Sequence, residues 1–219
     1  MKLLKRAAWV VPALLLLSLP GWSDPILMQG VFTSDSQVQQ FSVTLGAAGV
    51  LTVQSYGYAG GTVNATTIAA GGFAPQATLF DSLGIEIVAD SGGNCGLTGT
   101  DPTTGNCDDP YIQETLGAGT YTLALTEDSN VSSDGFLADG FTEDGNPGFT
   151  CAEFGQSGNF CDVTSALGTQ RNGDYALAFT GAGSVDGVGS GTTVPEPSSL
   201  TLLAAGGLLF VLRRRRLLA

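Results

Sequence analysis

In a series of short segments the apolar side chains recur at every second position, and no stretch carries the stripe of an amphipathic helix. Phe41-Ser-Val-Thr-Leu45 shows the alternation cleanly. Further β-rich runs fall at 50–56, 62–68, 77–80, 85–88, 111–116, 120–126 and 174–180. Asp81-Ser-Leu-Gly84 and Gly117-Ala-Gly119 supply the glycines that tight reversals need. A chain patterned in this way hides one face of each strand and wets the other, which is the habit of antiparallel sheets. The pattern predicts an all-β fold: an antiparallel β-sandwich, jelly-roll-like, of about eight strands. Residues 24–183 give enough chain for one such domain with its own core.

The two ends follow a different rule. Lys2, Lys5 and Arg6 precede an apolar run from Ala7 to Leu19, and small residues Gly21 and Ser23 follow. That is the three-part plan of a secretory signal peptide over residues 1–23, removed by signal peptidase after Sec-type export. At the other end, residues 184–194 are Gly/Ser-rich and read as a flexible linker. Pro195-Glu196-Pro197 then leads into an apolar stretch at 198–212, closed by Arg213, Arg214, Arg215 and Arg216. As a helix that stretch would reach about 22 Å, enough for a marginal transmembrane span with the arginines snorkelling to the headgroups. The prediction is thus a signal helix at one end and a transmembrane helix at the other.

The charges orient the chain. Basic clusters stay on the cytoplasmic side of a membrane, so both ends hold back while the middle crosses. Between them Arg171 is the only cation, against all 20 acidic residues of the chain. One arginine cannot neutralise a phosphate backbone, which excludes nucleic acid as a partner. The chain has no histidine, which removes the usual general base near neutral pH and the Ser-His and Cys-His nucleophile schemes. The expectation is a non-enzymatic protein. A hydrolase using paired carboxylates is the least favoured alternative.

The tail resembles the PEP-CTERM sorting signal of Gram-negative bacteria: a Pro-Glu-Pro tripeptide, a short Gly-containing apolar helix and a terminal Arg cluster, over residues 195–219. The resemblance implies recognition by an exosortase, a membrane protease-transpeptidase that cuts near Pro195–Pro197. It also implies an inner-membrane anchor before processing and a place at the cell surface or outside it afterwards, in organisms that make exopolysaccharide and biofilm. Residues 41–125 resemble bacterial pre-peptidase C-terminal domains, through Ala77-Thr-Leu-Phe-Asp-Ser-Leu-Gly-Ile-Glu-Ile-Val-Ala-Asp90 and Gly119-Thr-Tyr-Thr-Leu123. That likeness implies a non-catalytic secreted module.

Cys95, Cys107, Cys151 and Cys161 all lie in the exported part, where disulfides persist. Each neighbouring pair brackets a loop rich in glycine or asparagine, so the expected bonds are Cys95–Cys107 and Cys151–Cys161. The spacings do not suit a zinc site. Asp128, Asn130, Ser132 and Asp134 recur at every second position, with Asp139 beyond, and an extended loop would aim their oxygens one way as calcium ligands. Tyr56, Tyr58, Phe73 and Tyr111 are candidates for a sugar platform. The favoured function is a structural or adhesive component of an extracellular, biofilm-type matrix. The alternative is a calcium-dependent carbohydrate-binding module, with extracellular polysaccharide as the partner in either case.

Overall fold

The computed structural model describes residues 24–188 and 192–193. In Gln39–Leu45 (β2) the alternation drives Phe41, Val43 and Leu45 to one side, all buried, and leaves Ser42 and Thr44 half-buried on the other. The same logic shapes Gly49–Ser55 (β3), Tyr111–Leu116 (β8), Gly119–Glu127 (β9) and Asp174–Thr180 (β10). With Ile26–Val31 (β1), Pro75–Phe80 (β6), Glu86–Asp90 (β7), Ser184–Val188 (β11) and Thr192–Thr193 (β12), these strands build two five-stranded antiparallel sheets. One runs β12-β1-β10-β3-β8 and the other β11-β2-β9-β6-β7. They face each other as a β-sandwich around Phe41, Leu51, Leu79, Leu123, Leu177 and Phe179. Each such side chain contributes about 1.5–3 kcal/mol by leaving water.

Three expectations need correction. Residues 62–68 are not one strand but a hairpin, Gly61–Val63 (β4) and Thr66–Ile68 (β5). Asn64 and Ala65 take successive positive φ values of 48° and 63°, the reversal that a two-residue hairpin turn requires. The hairpin lies over the outer face of the first sheet, with Val63 and Ile68 against Leu27, Ala176 and Ala178. Strand β1 was not foreseen. Leu27 packs outward under the hairpin while Met28 packs inward, so both faces are covered and the alternation disappears. Residues 184–194, expected as linker, instead begin as β11, which pairs with β2 from Ser184↔Thr44 to Val188↔Gln40. Val185 is its one buried apolar anchor. The segment returns as β12 on the edge of β1, with Thr192 opposite Gln29 and Thr193 opposite Met28.

Residues 128–147 cover the outer face of the second sheet, where Phe141 packs on Phe80 and Ala124, so β6 is buried at every position. Among the described residues no helix is long and apolar enough to cross a membrane. The signal segment 1–23 and the apolar stretch 198–212 lie outside the described residues.

The sandwich has two unlike ends. At one, which we call the turn end, tight connections join Leu45 to Gly49, Leu116 to Gly119 and Thr180 to Ser184. Gly181 is required there: its φ is +88°, and a Cβ would run into the Val50 carbonyl oxygen. Residues 32–38, 56–74, 91–110 and 128–173 start and finish at the opposite loop end, although the β4–β5 hairpin runs back over the first sheet until Asn64 reaches the Pro25 carbonyl, and residues 135–137 run back over the second until they bond Gly84 and Glu86. Phe32, Phe73 and Phe160 cap the core on that side, with ring centroids 4.8 Å apart for Phe32–Phe73 and 5.5 Å for Phe73–Phe160.

Candidate functional site at the loop end

Arg171, the cation that stands alone among so many acids, is not on the surface; it is 7% exposed. Its Nε donates to the Gly72 carbonyl at 2.9 Å and Nη2 to the Tyr58 carbonyl at 2.8 Å. Nη1 and Nη2 both reach the Asp101 carboxylate, at 3.1 and 3.3 Å. The guanidinium carbon sits 4.0 Å from the centroid of the Tyr58 ring. A planar fork of donors is suited to this, because it satisfies one carboxylate and two carbonyls while stacking on an aromatic face. One side chain thereby fastens three loop segments.

The acids around it are held the same way. Burial would raise the Asp101 carboxyl, but hydrogen bonds from Arg171 and Thr104 outweigh burial and hold it below its ordinary value. Asp109 accepts from the backbone amides of Tyr58 at 3.1 Å and Ala59 at 2.8 Å. Burial still pushes its carboxyl up, with Ser55, Ala59 and Tyr58 pulling against it. The Tyr58 hydroxyl donates to Asp162 at 2.7 Å and touches Thr104 Oγ1 at 2.8 Å. Burial, with the Asp162 carboxylate adding to it, pushes that phenol well above its usual value. Asp35, fully buried, accepts from the Gly148 amide at 2.6 Å and from the amide and hydroxyl of Thr150 at 3.1 and 2.7 Å.

Above this network lies an open groove of about 270 Å³ lined by Thr103, Thr104, Asn106, Thr164, Ser165 and Thr169, among others. Thr104 and Thr164 belong to both groove and network. The Thr164 hydroxyl, which accepts from Asn106 Nδ2 at 3.1 Å, lies within hydrogen-bond distance of both Asp108 and Asp162. It has one proton and serves one carboxylate at a time. The groove thus offers hydroxyl and amide groups, with the buried Asp108 and Asp162 behind Thr164.

Cys95–Cys107 and Cys151–Cys161 are both bonded, with Cα separations of 5.1 and 4.7 Å, and no free cysteine occurs among the described residues. Each closes a loop beside the groove. The calcium set is not assembled. Asn130 is fully buried and accepts from the Glu143 amide at 2.8 Å, while Asp128 caps Ser129 at 2.9 Å. Ser132 Oγ is buried with no partner among the described atoms. Asp134 and Asp139 are exposed. Positive φ values at Ser129, 72°, and Asp134, 53°, bend the segment, so alternate positions no longer share a side. Among the described residues no group of three or more acidic or cysteine side chains converges as a metal ion needs. Nor are the four aromatics brought together as a platform: Tyr58 and Phe73 are buried in the interior, Tyr56 packs under the β4–β5 hairpin, and Tyr111 stands half-buried on β8, its hydroxyl accepting from Gln113 Nε2 at 3.2 Å.

Glu127 was not singled out by the sequence. It shares the inward face of β9 with Leu123 and Leu125, is fully buried, and neither carboxylate oxygen has a hydrogen-bond partner. Burial first, then the charges of Asp128, Asp35, Asp162 and Glu153, pushes its carboxyl well above the ordinary value. The signal was available in the alternation, which places position 127 with the core residues.

Residues 193–216 match the PEP-CTERM protein-sorting motif. Pro195, Glu196, Pro197 and Arg213 to Arg216 fall inside that match, and all lie outside the described residues. No curated protein matches the chain.

Proposed function

We propose that this chain is an exosortase substrate: a precursor exported by the Sec-type machinery, trimmed by signal peptidase near Ser23, and held in the inner membrane by residues 198–212. Cleavage near Pro195–Pro197 then delivers the acidic sandwich to the cell surface or beyond. There it serves as a non-catalytic structural or adhesive component of a polysaccharide-rich matrix. The sorting motif at 193–216 carries the reading. The strand order supports a jelly-roll-like sandwich, since eight of the strands divide between the sheets as β1-β10-β3-β8 and β2-β9-β6-β7, with only β6 and β7 consecutive in one sheet. That architecture is also the one expected of a pre-peptidase C-terminal-like module.

A non-catalytic role is supported by how the buried acids are used. Asp35, Asp101 and Asp109 each accept donors from loops with both oxygens. The hydroxyl-lined groove beside the disulfides is the place where extracellular polysaccharide would bind.

Mass spectrometry of the protein recovered from cells tests the sorting reading. The expected product begins near Asp24, ends near the Pro-Glu-Pro tripeptide and carries two disulfides. An intact chain with both ends present, in cells that contain the exosortase, would refute it. A glycan array with and without chelator tests the adhesive reading, with binding that is lost on Thr164→Val as the expected result.

A further inference from the structure

We infer that the membrane-anchored precursor stands with its turn end against the lipid surface and its disulfide-pinned loop end, including the groove, pointing away. This rests on the anchoring reading above. Three observations carry it. The first is the exit of the chain. Strand β12 runs antiparallel to β1, so from Thr192 opposite Gln29 to Thr193 opposite Met28 it heads towards Ile26. Ile26 pairs with Phe179, beside the connection that begins after Thr180. The polypeptide therefore leaves the fold towards the turn end.

The second is the length of the tether. Four residues, and so five Cα-to-Cα steps, separate Thr193 from Ser198, where the apolar stretch starts. Fully extended they span about 17 Å. The nine residues of β9 alone run about 30 Å from turn end to loop end. The tether is shorter than the body it holds, and it pulls on one end.

The third is charge. The exposed tips at the turn end are Gly46-Ala47-Ala48, Gly117-Ala118 and Gly181, with Leu83 of the β6–β7 hairpin 80% exposed nearby. None of the three strand connections there contains an ionisable side chain. The acids at that end are Asp24, Asp81 and Glu86, with Asp134 and Asp139 on the segment whose Gly135 and Leu137 bond to Glu86 and Gly84, and cleavage after Ser23 would add an α-ammonium group on Asp24. The loop end holds Asp35, Asp101, Asp108, Asp109, Asp128, Glu153 and Asp162 in its connections, with Arg171 as its cation. An anionic headgroup layer repels that end and tolerates the other. The surface that fits the membrane is thus the one whose strand connections carry no charge, and the groove is presented outward.

The test uses the full-length precursor, purified from cells lacking the exosortase. It is reconstituted into phosphatidylcholine–phosphatidylglycerol vesicles whose headgroups carry an energy-transfer acceptor. A donor dye is attached at Ala47→Cys, at Ala118→Cys or, at the loop end, at Leu167→Cys, which replaces a side chain 83% exposed. The expected result is several-fold stronger transfer at 47 and 118 than at 167, a contrast that collapses when about 20 Gly/Ser residues are inserted between Val194 and Pro195. Equal transfer at both ends, or stronger transfer at 167, in a precursor that stays with the vesicles would overturn the orientation alone. A precursor that washes off the vesicles would overturn the anchoring reading and the orientation with it.

Discussion

At the scale of single residues, the loop end depends on one cation and one unpaired acid. Arg171 joins positions far apart in the chain, 70 residues away at Asp101 and 113 at Tyr58. Arg171→Met would leave Asp101 buried without its partner, at a cost of about 3–5 kcal/mol. Urea denaturation should show that loss, and Asp101→Asn in the same chain should restore part of it, because the stranded charge is then gone. Glu127 behaves oppositely. Its folded-state pKa lies above the ordinary 4.5, so the unfolded chain releases its proton first. Its contribution to stability is therefore intact below pH 4.5 and falls as pH climbs towards the folded value. Glu127→Gln should match the parent near pH 4 and exceed it increasingly at higher pH, read as the difference in denaturation midpoints across a pH series. The sequence made Arg171 conspicuous as the one cation of the exported part. It could not name the partners, since such distant pairings are set by the order of the strands. The calcium set is not brought together, for the local converse of this reason: spacing by two means a shared side only where the backbone is extended, and Ser129 and Asp134 turn it.

At the scale of elements, what was legible is what one face of water dictates. Strands β2, β3 and β8 alternate because one side of each meets the core and the other meets solvent, and β9 and β10, covered outside as well, still alternate large inward and small outward side chains such as Ala124, Ala176 and Ala178. Where large side chains serve both covered faces, as Leu27 and Met28 do in β1, the alternation vanishes; where backbone pairing does most of the holding, as in β11, composition resembles a linker. The role of β11 is open to measurement. Val185 is 7% exposed and packs with the main core, so Val185→Ala should cost about 2 kcal/mol, whereas a flexible linker would register nothing. The disulfides were legible from spacing, since each joins the nearest cysteine across a loop with little apolar content. Replacing Cys95 and Cys107 together by serine should lower stability by about 2–3 kcal/mol in the chain-entropy view. It should also open residues 91–110 to proteolytic nicking while the sheets stay protected, which limited proteolysis with mass readout would show.

At the scale of the whole molecule, the acid excess is a global property. Of the 8 basic residues in the chain, Arg171 alone lies between the two end segments, and it is already paired to Asp101. The remaining carboxylates of the exported domain repel one another through solvent, and the compact state holds them closer than the unfolded chain does. Mobile ions screen that repulsion over about 10 Å at 0.1 M. The melting temperature of the exported domain should therefore rise with sodium chloride from low to physiological ionic strength, by about 2–4 °C for each kcal/mol recovered. Divalent cations separate screening from coordination. The acidic side chains gather in no group of three among the described residues, so calcium and magnesium at equal concentration should stabilise alike. A built calcium site prefers calcium strongly, because seven or eight flexible oxygens suit it and not the smaller, octahedral magnesium ion. Differential scanning calorimetry of the domain with each cation at matched ionic strength decides between the two. Coincident curves mean that the acids act as a diffuse field. A calcium-specific rise at micromolar concentration would mean that the loops of residues 128–147 rearrange around the ion, and would return Asp128, Asp134 and Asp139 to the list of ligands.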